Sequence, residues 1–462
     1  MALTPALLIT GLTMLAAPPM PSGGGGIPVF SRKYRVGCTR CHTAAPKLNV
    51  LGEAFRLNGY RMPATEPMPR GEAVIPLGEE PWRDLWPRGI WPGELAAAVP
   101  IALRIQSDLE FARDTDGRTA VSFRFPNDVS LLAAGGFGDH IASFLEVEWT
   151  QEAGIRVNEA KAKFQSLLPR LGERSVNLWV GLQSLYLLTF AEQRIDRAGR
   201  SLYLWQRFRP SDVPLRVAGQ QLEAPSQFSL ALPQPALELT GLITPRLYYA
   251  LGLAQGAGAG TADNNRHKDS YYKLRYKLGG MRLDGAYGEG DGPLGGSSGQ
   301  LLDRSVVIET FGYFGSEPVS RTVEDRHRAL GVSARVLAGR LDAGAGYVWG
   351  RDEAPWGSSE GHLDRRSAFA KVEYLVWPWL LASIRAEQFW IETPAVAQVA
   401  DPLPGSGSGR AALGQTHFLP GATALLRQNV RLVLEADLYS SFQSPSDRPA
   451  PTGLWLRLDL AF

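Results

Sequence analysis

Apolar and polar residues alternate along most of this chain, in segments of roughly ten residues that begin near residue 98. The last segment is the clearest example. Its apolar face carries Leu454, Leu456, Leu458, Leu460 and Phe462, and its other face carries Trp455, Arg457, Asp459 and Ala461. Because successive side chains of a β-strand point to opposite sides, this period of two predicts a strand with one apolar and one polar face.

Four further segments, 141–149, 272–278, 384–387 and 430–438, place charged residues opposite apolar ones in the same way. Charges suit a lumen and leucines suit lipid, so the pattern indicates a membrane barrel. We count about 16 to 18 such segments, and single-chain bacterial barrels have even strand numbers. The sequence therefore predicts a mainly β fold, an antiparallel transmembrane β-barrel of about 16 strands.

A soluble β-sandwich has the same period of two and stays the alternative to a membrane barrel. The final residue, Phe462, resembles the C-terminal assembly signal of bacterial outer-membrane barrels. Aromatic residues at strand ends, such as Trp377, Trp379 and Trp390, are typical of membrane interfaces. Both features favour the outer membrane. The short connection 337–341 is expected at the periplasmic end, and the longer polar connections 288–303, 352–366 and 393–414 at the extracellular end.

The residues before the barrel divide into three parts. Residues 1–26 are apolar and then glycine-rich, which predicts an export signal and a flexible start. Residues 27–78 are predicted to form a small domain, and residues 79–97 a linker with Trp82, Trp86 and Trp91 among prolines. The barrel takes residues 98–462. With 48 Lys and Arg against 46 Asp and Glu, the formal charge of +2 gives no reason to expect a nucleic-acid partner.

The only two cysteines lie in one motif, Cys38-Thr39-Arg40-Cys41-His42. This is the attachment pattern of c-type haem, in which both sulfurs form thioethers with the haem vinyl groups and the histidine becomes an iron ligand. A thioredoxin-like site would need a βαβ context, a zinc site would need further Cys or His nearby, and a chance match stays possible. The motif therefore predicts one covalently bound haem c. Residues 27–78 are then expected to be a small α-helical monohaem cytochrome c domain, in or at the periplasmic end of the barrel.

The residues after the motif predict a helix that packs against the haem. Pro46 is expected to open a helix over 47–58, in which Leu48, Leu51 and Phe55 fall at helical spacing, and Gly59 to end it. Met62 is the first candidate for the second axial ligand, with Met68 next. Another ligand or an open site is the remaining possibility.

The segment 27–62 resembles the N-terminus of the bacterial fused monohaem cytochrome–porins, which include outer-membrane Fe(II) oxidases. The matching positions are Pro28, Phe30, Arg32, Cys38, Cys41, His42, Pro46, Leu48, Gly52, Phe55, Gly59 and Tyr60, and the stretch 128–138 is similar to an early barrel strand of these fusions. The weak export signal and Ser31, where the fusions often have Ala, depart from the pattern. The resemblance implies electron transfer from extracellular Fe(II) to a periplasmic carrier such as a soluble cytochrome c.

Three functions follow from these predictions. The first is an outer-membrane electron conduit with Fe(II) as donor. Such an iron oxidase should expose carboxylates near its outer rim, and the candidates are Asp352, Glu353 and Glu360. The second is a conduit for a different redox partner. The third is a solute pore in which the haem domain acts as plug or sensor. No residue pattern predicts general acid–base or nucleophilic catalysis, and the five histidines after His42 are scattered singly.

Overall fold

A computed structural model provides the structure of this chain. It describes residues 29–34, 36–63, 74–76, 94–96, 101–113, 118–137, 140–151, 153–172, 174–189, 203–210, 215–217, 220–222, 228–256, 267–288, 294–295, 301–320, 322–357, 361–394, 398–399, 410–440 and 452–462. The predicted export signal, residues 1–26, and the three linker tryptophans lie outside the described residues. None of the helices in these ranges is long and apolar enough to cross a membrane.

Strands dominate the described residues and are numbered in chain order. They are β1 His42–Ala44, β2 Lys47–Leu48, β3 Val74–Pro76, β4 Glu94–Ala96, β5 Ile101–Arg113, β6 Thr119–Phe137, β7 Ile141–Thr150, β8 Gly154–Phe164, β9 Asn177–Gln183, β10 Leu215–Val217, β11 Gln220–Leu222, β12 Gln234–Thr244, β13 Leu247–Ala254, β14 Asp269–Leu278, β15 Leu294–Gly295, β16 Leu301–Pro318, β17 Glu324–Gly339, β18 Leu341–Asp352, β19 Leu363–Trp377, β20 Leu380–Pro394, β21 Gln398–Val399, β22 Arg410–Arg427, β23 Val430–Ser440 and β24 Thr452–Ala461. The helices are α1 Val29–Tyr34, α2 Val50–Leu57 and α3 Leu204–Arg207, with 3-10 turns at Cys38–Arg40 and Pro169–Leu171.

Sixteen long strands form one closed antiparallel barrel, which confirms the predicted strand number. They are β5 to β9, β12 to β14, β16 to β20 and β22 to β24, and the two-residue β15 lies beside β16. The ring closes where β24 pairs with β5, with Leu456 opposite Leu109. Closure leaves no unpaired edge between first and last strand, as a sheet in lipid requires.

The barrel wall has an apolar outside and a polar inside, as the alternation predicts. On β24, Leu454 is 41% exposed, whereas Arg457 and Asp459 are 7% and 5% exposed. The inward charges have partners: Arg457 Nε donates to Asp108 over 2.7 Å, and Arg431 Nη2 donates to Asp459 over 2.7 Å. Unpartnered charges would be costly there, so these pairs let the lumen be polar while the outer surface suits lipid.

The two ends of the barrel differ in their connections. At one end, which we call the short-turn end, 339–341 and 427–430 are tight turns and Gly339 adopts a φ of +63°. The long connections 352–363 and 394–410 lie at the opposite end, as predicted. The predicted extracellular position of 288–303 is wrong, because β14 and β16 are joined at the short-turn end, beside the turn at Gly339.

Two segments occupy the barrel interior. The first, here the N-terminal segment, comprises the described residues from 29 to 63 and lies near the short-turn end, where Gly37 adjoins the side chain of Gln428. The second, here the lumen loop, comprises the described residues of 184–233 between β9 and β12. Its strands β10 and β11 form a small sheet with β21, from the connection between β20 and β22. The lumen is thus filled from two places in the chain.

Candidate functional site

The Cys-x-x-Cys-His motif forms a tight turn inside the barrel. Residues 38–40 are a 3-10 turn, in which the Cys41 amide donates to the Cys38 carbonyl over 3.2 Å. Neither cysteine forms a disulfide. Burial is the main cause that raises the pKa of the Cys38 thiol, while the Ser31 hydroxyl, 4.0 Å from its sulfur, acts in the opposite direction. The turn therefore keeps two thiols three residues apart on one short segment.

His42 directly follows this turn and has one ring nitrogen committed. Its Nδ1 lies 3.2 Å from the carbonyl oxygen of Pro46. Burial lowers the pKa of His42 to about 4, because the charged form is penalised away from water. When Nδ1–H of a neutral imidazole donates to a backbone carbonyl, the lone pair lies on Nε2. Metal-bound histidines are usually oriented in this way.

The motif is tied to α2 by Asn49 and Gly52. Asn49 Oδ1 accepts from the amides of Leu51 (3.1 Å) and Gly52 (3.0 Å), while its Nδ2 donates to the carbonyl of Arg40 over 3.0 Å. A Cβ on Gly52 would lie 2.1 Å from the Cys41 carbonyl oxygen. One asparagine thus caps the helix and binds the motif, and only glycine permits the close approach.

The predicted helix boundary is wrong by three residues, since α2 begins at Val50 and Lys47–Leu48 pair with His42–Ala44 as a short strand. The physical reason is the side chain of Asn49, which satisfies the first free amides of the helix and so fixes its start. The sequence analysis missed this role. An Asn directly before an apolar helical run was the signal that could have shown it.

Buried ion pairs attach the N-terminal segment to the barrel wall. Lys47 pairs with both Asp342 and Glu373, and all three side chains are largely buried. Arg335 donates to Glu53 Oε1 over 2.6 Å. Burial opposes the charge on Glu53, but Arg335 and other nearby cations outweigh it and lower the pKa of this carboxyl. Each pair joins the segment to an inward-facing position of β17, β18 or β19.

The three predicted haem-packing residues do not gather on one surface. Leu51 is fully buried against Met281 and Leu301 of the barrel. Phe55 packs on the other side, with its ring 4.9 Å from that of Phe30. The side chain of Leu48 lies beside Gly52. Packing of these residues against a haem stays a prediction.

Met62, the first candidate for the second axial ligand, is half-buried in the same apolar cluster as Phe55 and Val36. Met62 therefore packs in a cluster with Val36, which lies two residues before Cys38 in the sequence. Its ligand role stays a prediction, and Met68 lies outside the described residues. Among the described His, Cys, Asp and Glu side chains, no group of three or more is arranged to hold a metal ion.

Two thiols on one turn, followed directly by a neutral histidine, are the donor set that covalent haem c attachment requires. Arg431, an inward residue of β23, acts electrostatically on His42 and therefore lies close to it. This part of the lumen holds further inward arginines, among them Arg104 and Arg457. The chemistry of the residues present fits an anionic, iron-bearing group attached through cysteine.

The lumen loop fills the middle and outer part of the barrel with aromatic rings. Trp205 stacks on Phe311 with 5.7 Å between centroids, Tyr203 lies 4.7 Å from Phe369, and Phe208 5.3 Å from Phe389. The amide of Leu204 donates to Glu387 over 2.7 Å. The sequence analysis did not predict this loop, although the non-alternating apolar run 185–190 after β9 could have indicated it.

The carboxylates predicted at the outer rim differ in their exposure. Asp352 is fully buried and pairs with Arg365 over 3.1 Å, so its predicted exposure at the rim is wrong. An inward position at the end of β18 explains this burial. Glu353 is exposed, and Glu360 lies outside the described residues.

Solved structures of other proteins resemble this chain in the fold of its barrel. No protein-family model matches the chain, and no curated protein matches it in sequence. Among solved structures, an anion-selective porin from Comamonas acidovorans superposes with a TM-score of 0.51 at 9% identity, over 79% of this chain and 99% of that one. The barrel has a porin fold. Salmonella typhi OmpF, in complex with daunomycin, gives a TM-score of 0.51 at 10% identity, over 78% of this chain and 97% of that one. Because the sequence identities are 9% and 10%, these two structures show a shared fold and nothing about function.

Proposed function

We propose that this chain is a bacterial outer-membrane electron conduit, which carries one covalently bound haem c and transfers electrons from an extracellular donor to a periplasmic carrier. Fe(II) is the donor to test first, and a soluble cytochrome c is the kind of carrier expected. The observation that carries the proposal is the position of Cys38, Cys41 and His42 within the barrel, on a segment fixed by buried ion pairs.

The position matters because lipid is an electrical barrier. A hydrocarbon core of roughly 30 Å blocks electrons unless a cofactor lies within it. We assign the short-turn end to the periplasm, since periplasmic turns of such barrels are short. The motif then faces the periplasmic half of the lumen, within reach of a carrier on that side.

The chain's own residues have distinct parts in this proposal. Cys38 and Cys41 hold the haem, which when bound supplies a one-electron iron couple. His42 would hold the iron through Nε2, and the Pro46 carbonyl orients its ring by accepting from Nδ1. Met62 is the proposed second ligand, whose thioether would raise the potential relative to a second histidine.

An anaerobic absorbance titration with Fe(II) tests the proposal on the purified haem-loaded protein. We expect the reduced c-type bands to sharpen rapidly, and expect no such bands in a Cys38→Ala/Cys41→Ala variant. Reduction by dithionite but not by Fe(II) would reject Fe(II) as donor and leave a conduit for a different redox partner. A wild-type protein without covalent haem, by mass spectrometry, would reject the proposal itself.

A solute porin with a haem-bearing plug or sensor is the second candidate, because the barrel shares its fold with porins. Conductance across planar bilayers separates the two functions. A conduit with a filled lumen should give little ion current, whereas a porin should conduct strongly. The contacts of the N-terminal segment and of the lumen loop with the wall favour the conduit.

A further inference from the structure

A cavity of about 50 Å³ lies between the two segments that fill the lumen. Its wall includes Arg56 and Tyr60 of the N-terminal segment, Tyr186 of the lumen loop, and residues of β8, β9, β12, β13, β14 and β16. None of the residues assigned to haem attachment lines it. A space of this size holds a few water molecules or one small ion.

The wall of this cavity is strongly basic. Five cationic side chains line it, and only two carboxylates, Glu238 and Glu309, do so. The cationic set, which we call the basic cluster, consists of Arg56, Lys161, Lys163, Lys273 and Arg275. Glu238 pairs with Lys273 and Glu309 with Arg275, over 2.8 and 2.6 Å, and Lys161 pairs with Glu159 over 2.8 Å. The carboxylates are therefore used by these three cations.

Lys163 differs from those three cations. It is 3% exposed, and its Nζ donates to the carbonyl oxygen of Leu57 over 2.5 Å. In the described part of the chain, no carboxylate forms an ion pair with it. The carboxylate of Glu238 acts on Lys163 without forming an ion pair with it, and the positive charges of Arg56, Arg61 and Arg174 act in the opposite direction. A buried ammonium among like charges is costly unless an anion compensates it.

A second, independent observation comes from Gln183 on β9. Its side chain is 3% exposed and lines the same cavity, and its Nε2 has no hydrogen-bond partner among the described residues. Buried donors normally have partners, and a missing partner calls for a specific explanation. An acceptor group inside the cavity would satisfy both this amide and the ammonium of Lys163.

We propose that this cavity binds a small oxyanion, with Lys163 and Gln183 as direct donors and the remaining basic cluster as its electrostatic surround. The bound anion would contact the N-terminal segment through Arg56 and the wall through Lys163, so it also joins the two. The ligand class is a phosphate-like oxyanion, because hydrogen-bond donors and cations converge on the site and carboxylates are already paired.

Isothermal titration calorimetry with inorganic phosphate tests the site, on the full-length haem-loaded protein in detergent at constant ionic strength. We expect saturable binding of one phosphate per chain. Lys163→Gln should weaken it by roughly 10- to 100-fold, as removal of one charged hydrogen-bond donor does. Gln183→Leu should weaken it by about fivefold, the effect of one neutral hydrogen bond.

Lys371→Gln is the matched control, since Lys371 is an equally buried lumen lysine that does not line the cavity. Its partner Glu373 keeps its ion pair with Lys47. Affinity should be unchanged in this variant. Absence of saturable binding to the wild type would overturn the proposal, as would an equal loss in the control. A change of electrophoretic mobility on heating identifies a folded barrel in each variant. If Lys163→Gln does not fold, the phosphate affinity of Gln183→Leu tests the proposal.

Discussion

The N-terminal segment and the lumen loop both fill the barrel and both stack rings on its wall, as Tyr60 does on Phe144, but their polar contacts with the wall differ. The N-terminal segment is fastened by buried charges, with Lys47 and Glu53 paired to the wall. The lumen loop is fastened by aromatic stacking, as Trp205 on Phe311 shows, and by backbone amides that donate to the wall carboxylate of Glu387. Ion pairs fix direction and register, whereas rings exclude water. The difference indicates that one segment is built to position chemistry and the other to seal.

The largest effect should follow from removing the central ring of the seal. Trp205→Ala is expected to cost about 3–5 kcal/mol in local stability, because the indole is 4% exposed and packs on two phenylalanine rings. Hydrogen exchange of the lumen loop should accelerate and ion conductance should rise, while covalent haem content stays constant. Trp205→Phe is the control that keeps an aromatic ring. Unchanged conductance in the alanine variant would contradict the sealing role.

A somewhat smaller effect should follow from releasing the charged attachment. Lys47→Met is expected to cost about 3 kcal/mol, the lower end for breaking a buried ion pair, because Asp342 and Glu373 retain Arg335 and Lys371 as partners. The N-terminal segment should become sensitive to added protease in the detergent-solubilised protein. Lumen-loop exchange rates should stay as in the wild type. Equal loosening of both segments would show that they form one cooperative unit.

The smallest effect concerns the residue that caps α2. Asn49→Ala is expected to cost about 1 kcal/mol, the usual value of a helix cap, and also to free the carbonyl of Arg40. We expect a shift in the haem midpoint potential measured by spectroelectrochemistry, since His42 is positioned through the same turn. Asn49→Asp keeps the capping oxygen and should restore the helix but not the contact with Arg40. A potential identical in all three proteins would contradict this positioning role.

The same contrast explains what could be predicted from the sequence. The strand alternation is a local pattern, so the barrel, its strand number and the inward position of residues such as Arg457 were predictable. The turn at 38–42 was predictable as a motif. The partners of Lys47 lie about 300 positions away in the chain, and no local pattern identifies them. The end of the barrel at which 288–303 lies depends on how many wall strands precede it. A list of candidate segments does not determine that number.

The closure of the ring constrains how the chain can be made. β24, the last strand, shuts the ring against β5, whereas the N-terminal segment precedes β5 and ends up inside. A polypeptide enclosed in this way has to be present when the ring shuts, or slide in later through a mouth that is still open. If Cys38 and Cys41 carry the proposed haem, the enzymes that attach it need access to both thiols. Attachment would then have to come before the N-terminal segment is enclosed, whether the segment is present when the ring shuts or slides in afterwards.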